Sequence, residues 1–307
     1  DHWVMKLSKI VRKIQNKIRT SNYVSKSKHN VAHHYDLSDK LYELFLDPDR
    51  QYSCAYFNSP NDTLEQAQIN KKELISKKLL LKEGQSVLDI GCGWGGMAAH
   101  IYKKSNASVV GVTLSEEQYA YANQRKINEK LDKVEYRLQD YRNVNESYDR
   151  IVSVGMFEHV GTSHYQEFFN KVHDLLNDTG VALIHTIGRL TEPTNNDPWI
   201  EKYIFPGGYI PALSETMSRV EKSGLALTDV QVLRFHYAET LKRWRYNFYD
   251  NIDKVKELYD EKFCRMWDFY LSSSQASFEE AGLVVFQLQL SKNKKTVPDR
   301  RDYMLTN

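Results

Sequence analysis

Cysteine is scarce in this chain of 307 residues, and Cys54, Cys92 and Cys264 are odd in number and far apart. They provide neither a disulfide framework nor a metal-ligand pair, and the pattern suits a reducing cytosol. A charge excess is also missing: 42 lysines and arginines face 40 aspartates and glutamates, a net of +2. Bulk charge therefore makes no case for a nucleic-acid partner. No apolar run approaches the roughly 20 residues that span a bilayer, and no signal peptide is visible. Internal repeats and long linkers are absent too. The first residue is Asp1 rather than Met, as in a fragment or a processed product. The length accommodates one large domain, or a domain with a sizeable insertion.

What is present centres on Val87 to Met97, where Val87-Leu88-Asp89-Ile90 runs into a turn holding Gly91, Gly93, Gly95 and Gly96. Met97 to Tyr102 then reads as a helix. Strand, glycine turn and helix form the first unit of a nucleotide-binding α/β sheet. The Asp-x-Gly-x-Gly-x-Gly spacing lacks the late glycine of the pyrophosphate fingerprint and has an acidic residue ahead of it. That version suits S-adenosylmethionine (SAM), which has no phosphate and carries a sulfonium cation and an amino-acid tail. A dinucleotide site or a bare structural turn are the alternatives.

Residues 1–28 read as a basic amphipathic helix, with Trp3, Leu7, Ile10, Ile14 and Ile18 at helical spacing among Lys6, Lys9, Arg12, Lys13 and Lys17. Such a helix can lie on an anionic membrane surface, or it can dock on its own or another domain. His33, His34, Tyr35 and Asp36 lack metal-site spacing, and a loop laying Tyr35 against a cofactor is the better reading. Tyr52 to Phe57, with Cys54, reads as ordinary core packing. Thr63 to Leu80 is a helix with Thr63 and Gln66 as a capping box.

Strand two, Val109 to Leu114, is followed by Ser115 instead of the usual ribose-binding acid, so Gln118 is positioned to serve. Strand three is Val134 to Leu138; after it, Asp140 and Tyr141 suit an adenine amino group and ring, or a plain exposed turn. Strand four, Tyr148 to Gly155, leads to Glu158 and His159, which topology puts in the crevice beyond the strand ends. Phe168 to Leu176 is helical, and strand five, Val181 to Thr186, carries His185 near its end. Leu190 to Leu213 breaks the rhythm with four prolines and several aromatics, as a lid would. Leu225 to Phe235 reads as a strand. Ala238 to Ala281 reads as helical, and its aromatics are core by default or, combined with the lid, the wall of an apolar channel; Leu283 to Ser291 is the last strand, and the tail from Lys292 reads as polar and loose.

Several stretches in order resemble the cyclopropane-fatty-acyl-phospholipid synthases and the related mycolic acid cyclopropane synthases. They include His34-Tyr35-Asp36-Leu37-Ser38, Tyr52 to Phe57, Val87 to Gly96, Gly111 to Ser115, Gly155 to Val160, His185-Thr186-Ile187-Gly188 and His236 to Leu241. The resemblance covers most of residues 29–290. It implies a Rossmann-like, class I SAM-dependent methyltransferase fold: an α/β domain over 29–307 with a seven-stranded mixed sheet. A helical, aromatic lid and acyl-channel insertion occupies 190–270. Longer family members carry a further N-terminal domain ahead of this region; if this chain belongs with them, that domain is expected to be absent or removed.

The implied reaction is transfer of a methylene from SAM to the double bond of an unsaturated acyl chain. An alkene attacks the sulfonium methyl, and a base then takes a proton from the added methyl so that the ring closes. In this family bound bicarbonate is thought to be that base, and its matching positions are Cys54, Glu158, His185, Ile187 through its backbone, and Tyr237. The SAM positions that match are Tyr35, Ser53, Gly91, Gly93, Thr113, Leu114, Gln118, Gln139 and Tyr141. The resemblance also implies a membrane phospholipid substrate, a cytoplasmic enzyme peripheral on the membrane, and a possible homodimer; no metal and no nucleic acid are expected. An acyl-chain methyltransferase that leaves a methyl branch, a nitrogen-methylating relative and a SAM-binding lipid sensor are the competing readings.

Overall fold

The computed structural model describes residues 39–305. The expected N-terminal helix, the histidine-rich stretch and Tyr35 lie outside the described residues. Helices α1 (Asp39–Phe45) and α2 (Leu64–Lys78) come first. Strands and helices then alternate: β1 (Ser86–Ile90), α3 (Gly96–Ser105), β2 (Ser108–Thr113), α4 (Glu116–Asn128), β3 (Val134–Leu138), β4 (Tyr148–Val154), α5 (Tyr165–Leu175) and β5 (Leu176–Arg189). Short helices α6 (Pro198–Tyr203) and α7 (Leu213–Val220) precede β6 (Ala226–Leu233). Helices α8 (His236–Asp250), α9 (Ile252–Leu258) and α10 (Glu261–Glu280) lead to β7 (Leu283–Ser291) and α11 (Asp302–Leu305).

The seven strands form one mixed sheet in the order β3-β2-β1-β4-β5-β7-β6. Strands β1 to β5 pair in parallel, and β7 runs antiparallel between β5 and β6. Val87, Leu88 and Ile90 are buried because helices cover both faces of β1, so the strand needs apolar residues on both sides. On one face, Ile75 and Leu79 from the α2 end join Met97 and Ile101 of α3. On the other, Phe168, Phe169 and Val172 of α5 pack against Leu88 and Ile151. A third cluster, around Phe45, Trp244 and Trp267, joins α1, α8 and α10. Strands β2 and β4 flank β1 on opposite sides, so chain order reverses there and opens the crevice where ligands of such sheets bind.

Local expectations hold in part. Thr63 Oγ1 accepts from the Gln66 N–H at 3.2 Å, but the Gln66 side chain donates to Asn70 Oδ1 instead of returning to the cap. Strand β5 is longer than expected at both ends: β7 pairs with it as far as Arg189, and Leu176 pairs with Tyr148 of β4. The helical wall is three helices, broken at Asn251 and at Tyr259 to Asp260. The tail is not loose as expected: Arg301 pairs with Asp229, and the Tyr303 hydroxyl donates to Gln289 Oε1 at 3.1 Å. Alternating polarity hides such anchors, since they depend on partners more than ten residues away.

Candidate active site

The turn after β1 is tied to β2 by the N–H groups of Gly91 and Cys92, which both donate to the Val112 carbonyl, at 2.9 and 3.0 Å. Gly91 and Gly93 have φ of +77° and +54°, a region that disfavours residues with a Cβ. At Gly93 a Cβ would meet nothing within 4 Å, so the backbone there faces open space. That space is a cavity of about 150 Å³ lined by Ser53, Asp89, Gly91, Gly93, Thr113, Leu114, Gln118, Gln139 and Tyr141 among others. Every SAM position expected from the sequence that falls among the described residues lines it; Tyr35 lies outside them. Thr113 Oγ1 donates to Gln118 Oε1 at 2.9 Å, which leaves the Gln118 amide nitrogen as a donor for a ligand. Asp140 lines the same cavity, and Arg142 donates to both of its carboxylate oxygens, which orients them and leaves lone pairs to accept from a ligand.

Two titratable groups border this cavity: Lys71, which was not anticipated, behind Ser53, and Asp89, the acid ahead of the glycine turn. Lys71 is fully buried and donates to Gln51 Oε1 at 2.6 Å and to Ser53 Oγ at 2.8 Å, fixing Ser53 in the wall. Burial, aided by Lys72, brings its pKa down to about 8. Asp89 is 1% exposed, its Oδ2 has no partner, and burial raises its pKa to about 7. A cationic ligand in this cavity would supply the charge that Asp89 lacks. Glycine cradle, amide donor and unpaired carboxylate therefore fit SAM, which when bound supplies an electrophilic methyl group.

A larger cavity of about 1110 Å³ adjoins the first, and Tyr52, Ser53, Gly155 and His159 line both. Its walls include Trp199 of α6, Phe205 just after it, and Tyr270 and Phe278 of α10, together with Cys54, Glu158, His185, Ile187 and Tyr237. The structure thus brings together all five residues expected at the bicarbonate site. Glu158 follows β4 on a single turn of 3₁₀ helix (Phe157–His159), and its Oε1 accepts from the Ile187 N–H at 2.7 Å. Its Oε2 is buried without a partner, and burial raises the pKa to about 7. The Cys54 thiol is pushed far up by burial and donates to the Ala55 carbonyl at 3.3 Å, so it is a neutral wall. His159 is also desolvated, with its pKa lowered to about 4.

His185 has its proton position set by a chain of polar groups. Lys78, buried to 0% exposure, donates to Gln231 Oε1 at 2.5 Å and to Gln287 Oε1 at 2.8 Å. The Gln287 oxygen is thereby engaged, and its Nε2 lies 3.1 Å from His185 Nδ1. An amide nitrogen only donates, so Nδ1 must accept and the neutral ring carries its proton on Nε2. Burial, with Lys71 and Lys78 nearby, holds the imidazole pKa well below its ordinary value. Nε2 is buried and has no partner. The cavity therefore meets an unpaired N–H donor from His185 and an unpaired oxygen from Glu158, a set that fits a small oxyanion such as bicarbonate. The Ile187 N–H is already taken by Glu158, so the Ile187 backbone would meet such an ion through its carbonyl. Sequence reading missed Lys78 and Gln287, because β7 places Gln287 opposite His185 only through tertiary pairing.

Glu158 titrates near 7 in the fold, against 4.5 ordinarily. A group raised in this way contributes its full relative stability below about pH 4.5 and loses it as pH climbs through about 7, a loss of about 3 kcal/mol. E158Q has no such proton to lose. Its thermal midpoint should overtake that of the parent between about pH 5 and pH 8; a pH-independent difference would contradict the assignment. Gln287→Glu should reverse the imidazole, since a carboxylate accepts from Nδ1–H. The ¹⁵N resonances of His185 should then move the protonated nitrogen from Nε2 to Nδ1, and unchanged shifts would refute the relay.

Comparison with known proteins gives this site a family. Residues 23–288 match the family model described as mycolic acid cyclopropane synthetase. The cyclopropane-fatty-acyl-phospholipid synthase of Escherichia coli (strain K12) is 42% identical over 259 residues, covering 84% of this chain and 66% of that protein. A probable fatty acid methyltransferase of Pseudomonas putida is 39% identical over 267 residues, covering 84% and 68%. The chain thus spans about two thirds of the length of these two relatives. The crystal structure of mycolic acid cyclopropane synthase CmaA1 with SAH and CTAB superposes with a TM-score of 0.81 at 36% identity, covering 86% of this chain and 97% of that one. The match spans the glycine turn, Glu158 and His185 alike, and this chain belongs to the mycolic acid cyclopropane synthetase family of enzymes, built on the SAM-dependent methyltransferase fold.

Proposed function

We propose that the chain is a cyclopropane-fatty-acyl-phospholipid synthase, transferring a methylene from SAM to the cis double bond of an unsaturated phospholipid acyl chain. The observation that carries this is the junction of the two cavities. A chamber walled largely by aromatic side chains, with Glu158 and His185 together in its polar lining, opens beside the glycine cradle through walls shared at Tyr52, Ser53, Gly155 and His159. A nitrogen-methylating site would have no need of so long an apolar chamber. The relatives' names, a cyclopropane synthase and a fatty acid methyltransferase, support an acyl substrate.

The residues have distinct tasks in this reading. Aromatic faces such as Tyr52 and Phe205 stabilise a transient carbocation by roughly 1–2 kcal/mol each when desolvated. The lid and α10 exclude water, which would trap that cation as an alcohol. Bicarbonate, when bound, would supply the acceptor for the proton that must leave before the ring closes. His185 holds the anion through Nε2–H, while Glu158 can exchange a proton near neutral pH. Cys54 and the Tyr237 phenol bound the ion on the remaining sides.

No helix among the described residues is long and apolar enough to cross a membrane. We assign membrane contact instead to the basic stretch over 1–28, as a peripheral anchor on anionic lipid at the cytoplasmic side.

Incubation with SAM and vesicles of unsaturated phospholipid should add one CH2 to the acyl chains and abolish the olefin signal in mass spectrometry and NMR. The same mass gain with the olefin kept would mean a methyl branch, in keeping with the second relative; SAM binding without any gain would mean a sensor. Deletion of residues 1–20 should weaken binding to anionic vesicles and leave SAM affinity intact; undiminished vesicle binding would remove the anchor from the proposal.

A further inference from the structure

We propose that Arg189 is an anion-binding subsite at the rim of the large cavity, taking the oxyanion head, phosphate or carboxylate, of the lipid whose chain the cavity holds. This rests on the lipid-modifying reading above. Arg189 ends β5 on the same face as His185 and Ile187, since alternate strand residues share a face. All three line the large cavity. The next residue, Leu190, is 59% exposed, so Arg189 sits where the strand meets the surface.

The guanidinium is poorly satisfied by the protein. Arg189 is 8% exposed, and its Nε donates to the Ile210 carbonyl at 3.2 Å. Its terminal nitrogens make no hydrogen bond or ion pair among the described residues and keep some accessible surface. Arg189 lines the large cavity, so an anion entering there can reach the guanidinium. Other buried or half-buried arginines are engaged: Arg125 pairs with Asp49 and Glu129, Arg142 with Asp140, and Arg150 donates to three backbone carbonyls. A buried charge without a counter-charge is costly, and the guanidinium fork matches a carboxylate or phosphate bidentately.

The surroundings hold this fork in place. The Arg189 N–H donates to the Pro211 carbonyl at 3.0 Å. Asn196 donates from Nδ2 to the Gly208 carbonyl at 2.6 Å and accepts at Oδ1 from the Ile210 N–H at 3.1 Å, fixing the lid segment that supplies Ile210. Asp197, an acid on the same cavity wall, has its Oδ1 committed to the N-terminus of α6. A chain lying in the apolar chamber with its head at this rim would have its olefin drawn inward towards Glu158 and His185.

The test uses dodecyl phosphate, dodecanoate and dodecanol, which share a saturated chain, cannot be cyclopropanated and differ only in the head. Binding is measured by calorimetry for the parent, Arg189→Met and Arg189→Lys, with SAM affinity reporting that each variant is folded. Arg189→Met should weaken the anionic ligands by roughly ten-fold or more, as expected for a charge-assisted hydrogen bond. Dodecanol should bind unchanged, and Arg189→Lys should recover part of the loss. Loss confined to the phosphate or to the carboxylate assigns the head, and loss of both assigns a shared oxyanion site. An equal loss for dodecanol, no loss for either anion, or no anion binding by the parent overturns the proposal. Should Arg189→Met lose SAM affinity, Arg189→Gln takes its place. A parent that binds the anions through Arg189 but forms no ring overturns the synthase reading and leaves the subsite standing.

Discussion

Glu158 and His185 each have a hydrogen-bond partner on one side and an apolar chamber on the other. That one-sided satisfaction is the constraint on which the rest of the site depends. The Ile187 N–H pins one oxygen of Glu158, and Gln287 pins one nitrogen of His185. What remains is a single oxygen and a single N–H, both buried and without protein partners. Burying such atoms disfavours folding, since each loses water and gains nothing in return. Keeping both in one pocket makes physical sense if a small polar guest completes them.

The sheet topology makes this arrangement affordable in structural terms. Parallel strands β1 and β4 pair side by side at the order reversal, which puts the glycine turn and Glu158 at the same edge of the sheet. The antiparallel β7 then lays Gln287 between His185 and Gln231, across three strands. Lys78 reaches both glutamines from the end of α2 and supplies the positive end of the chain. Its charge is offset further out by Asp229, which Arg301 of the C-terminal segment also meets. The polar chain therefore runs from the exposed tail to the imidazole without leaving the protein.

Two further buried cations bracket the reaction space. Lys71 lies under the cofactor cavity and holds Ser53, while Arg189 lies at the rim of the acyl cavity. Lysine suits the first place, because burial can lower its pKa towards neutrality and soften the charge. Arginine suits the second, because it offers a planar fork of donors to an incoming head group. The two cavities are thus distinguished by the kind of cation at their borders as well as by their size.

Local pattern alone determined a good deal of this protein. The buried run Val87 to Ile90 marked a strand covered on both faces, the alternation over Val134 to Leu138 marked a strand that lies at the sheet edge, and φ-permissive glycines marked the turn that faces the ligand. Glu158 and His185 were legible as site residues because strand-end positions in such a sheet open on the crevice. The family resemblance added Cys54, Ile187 and Tyr237, which composition and spacing did not distinguish from core. Tertiary structure alone decided which atoms of these residues are left to react. Lys78, Gln287, Lys71 and Arg189 are separated from their targets by the pairing of distant strands and by packing against helices, and nothing in their neighbours along the chain signals a partner. Protonation states followed the same rule: the neutral imidazole and the reluctant carboxylic acid are products of burial, which exists only once the chain has folded.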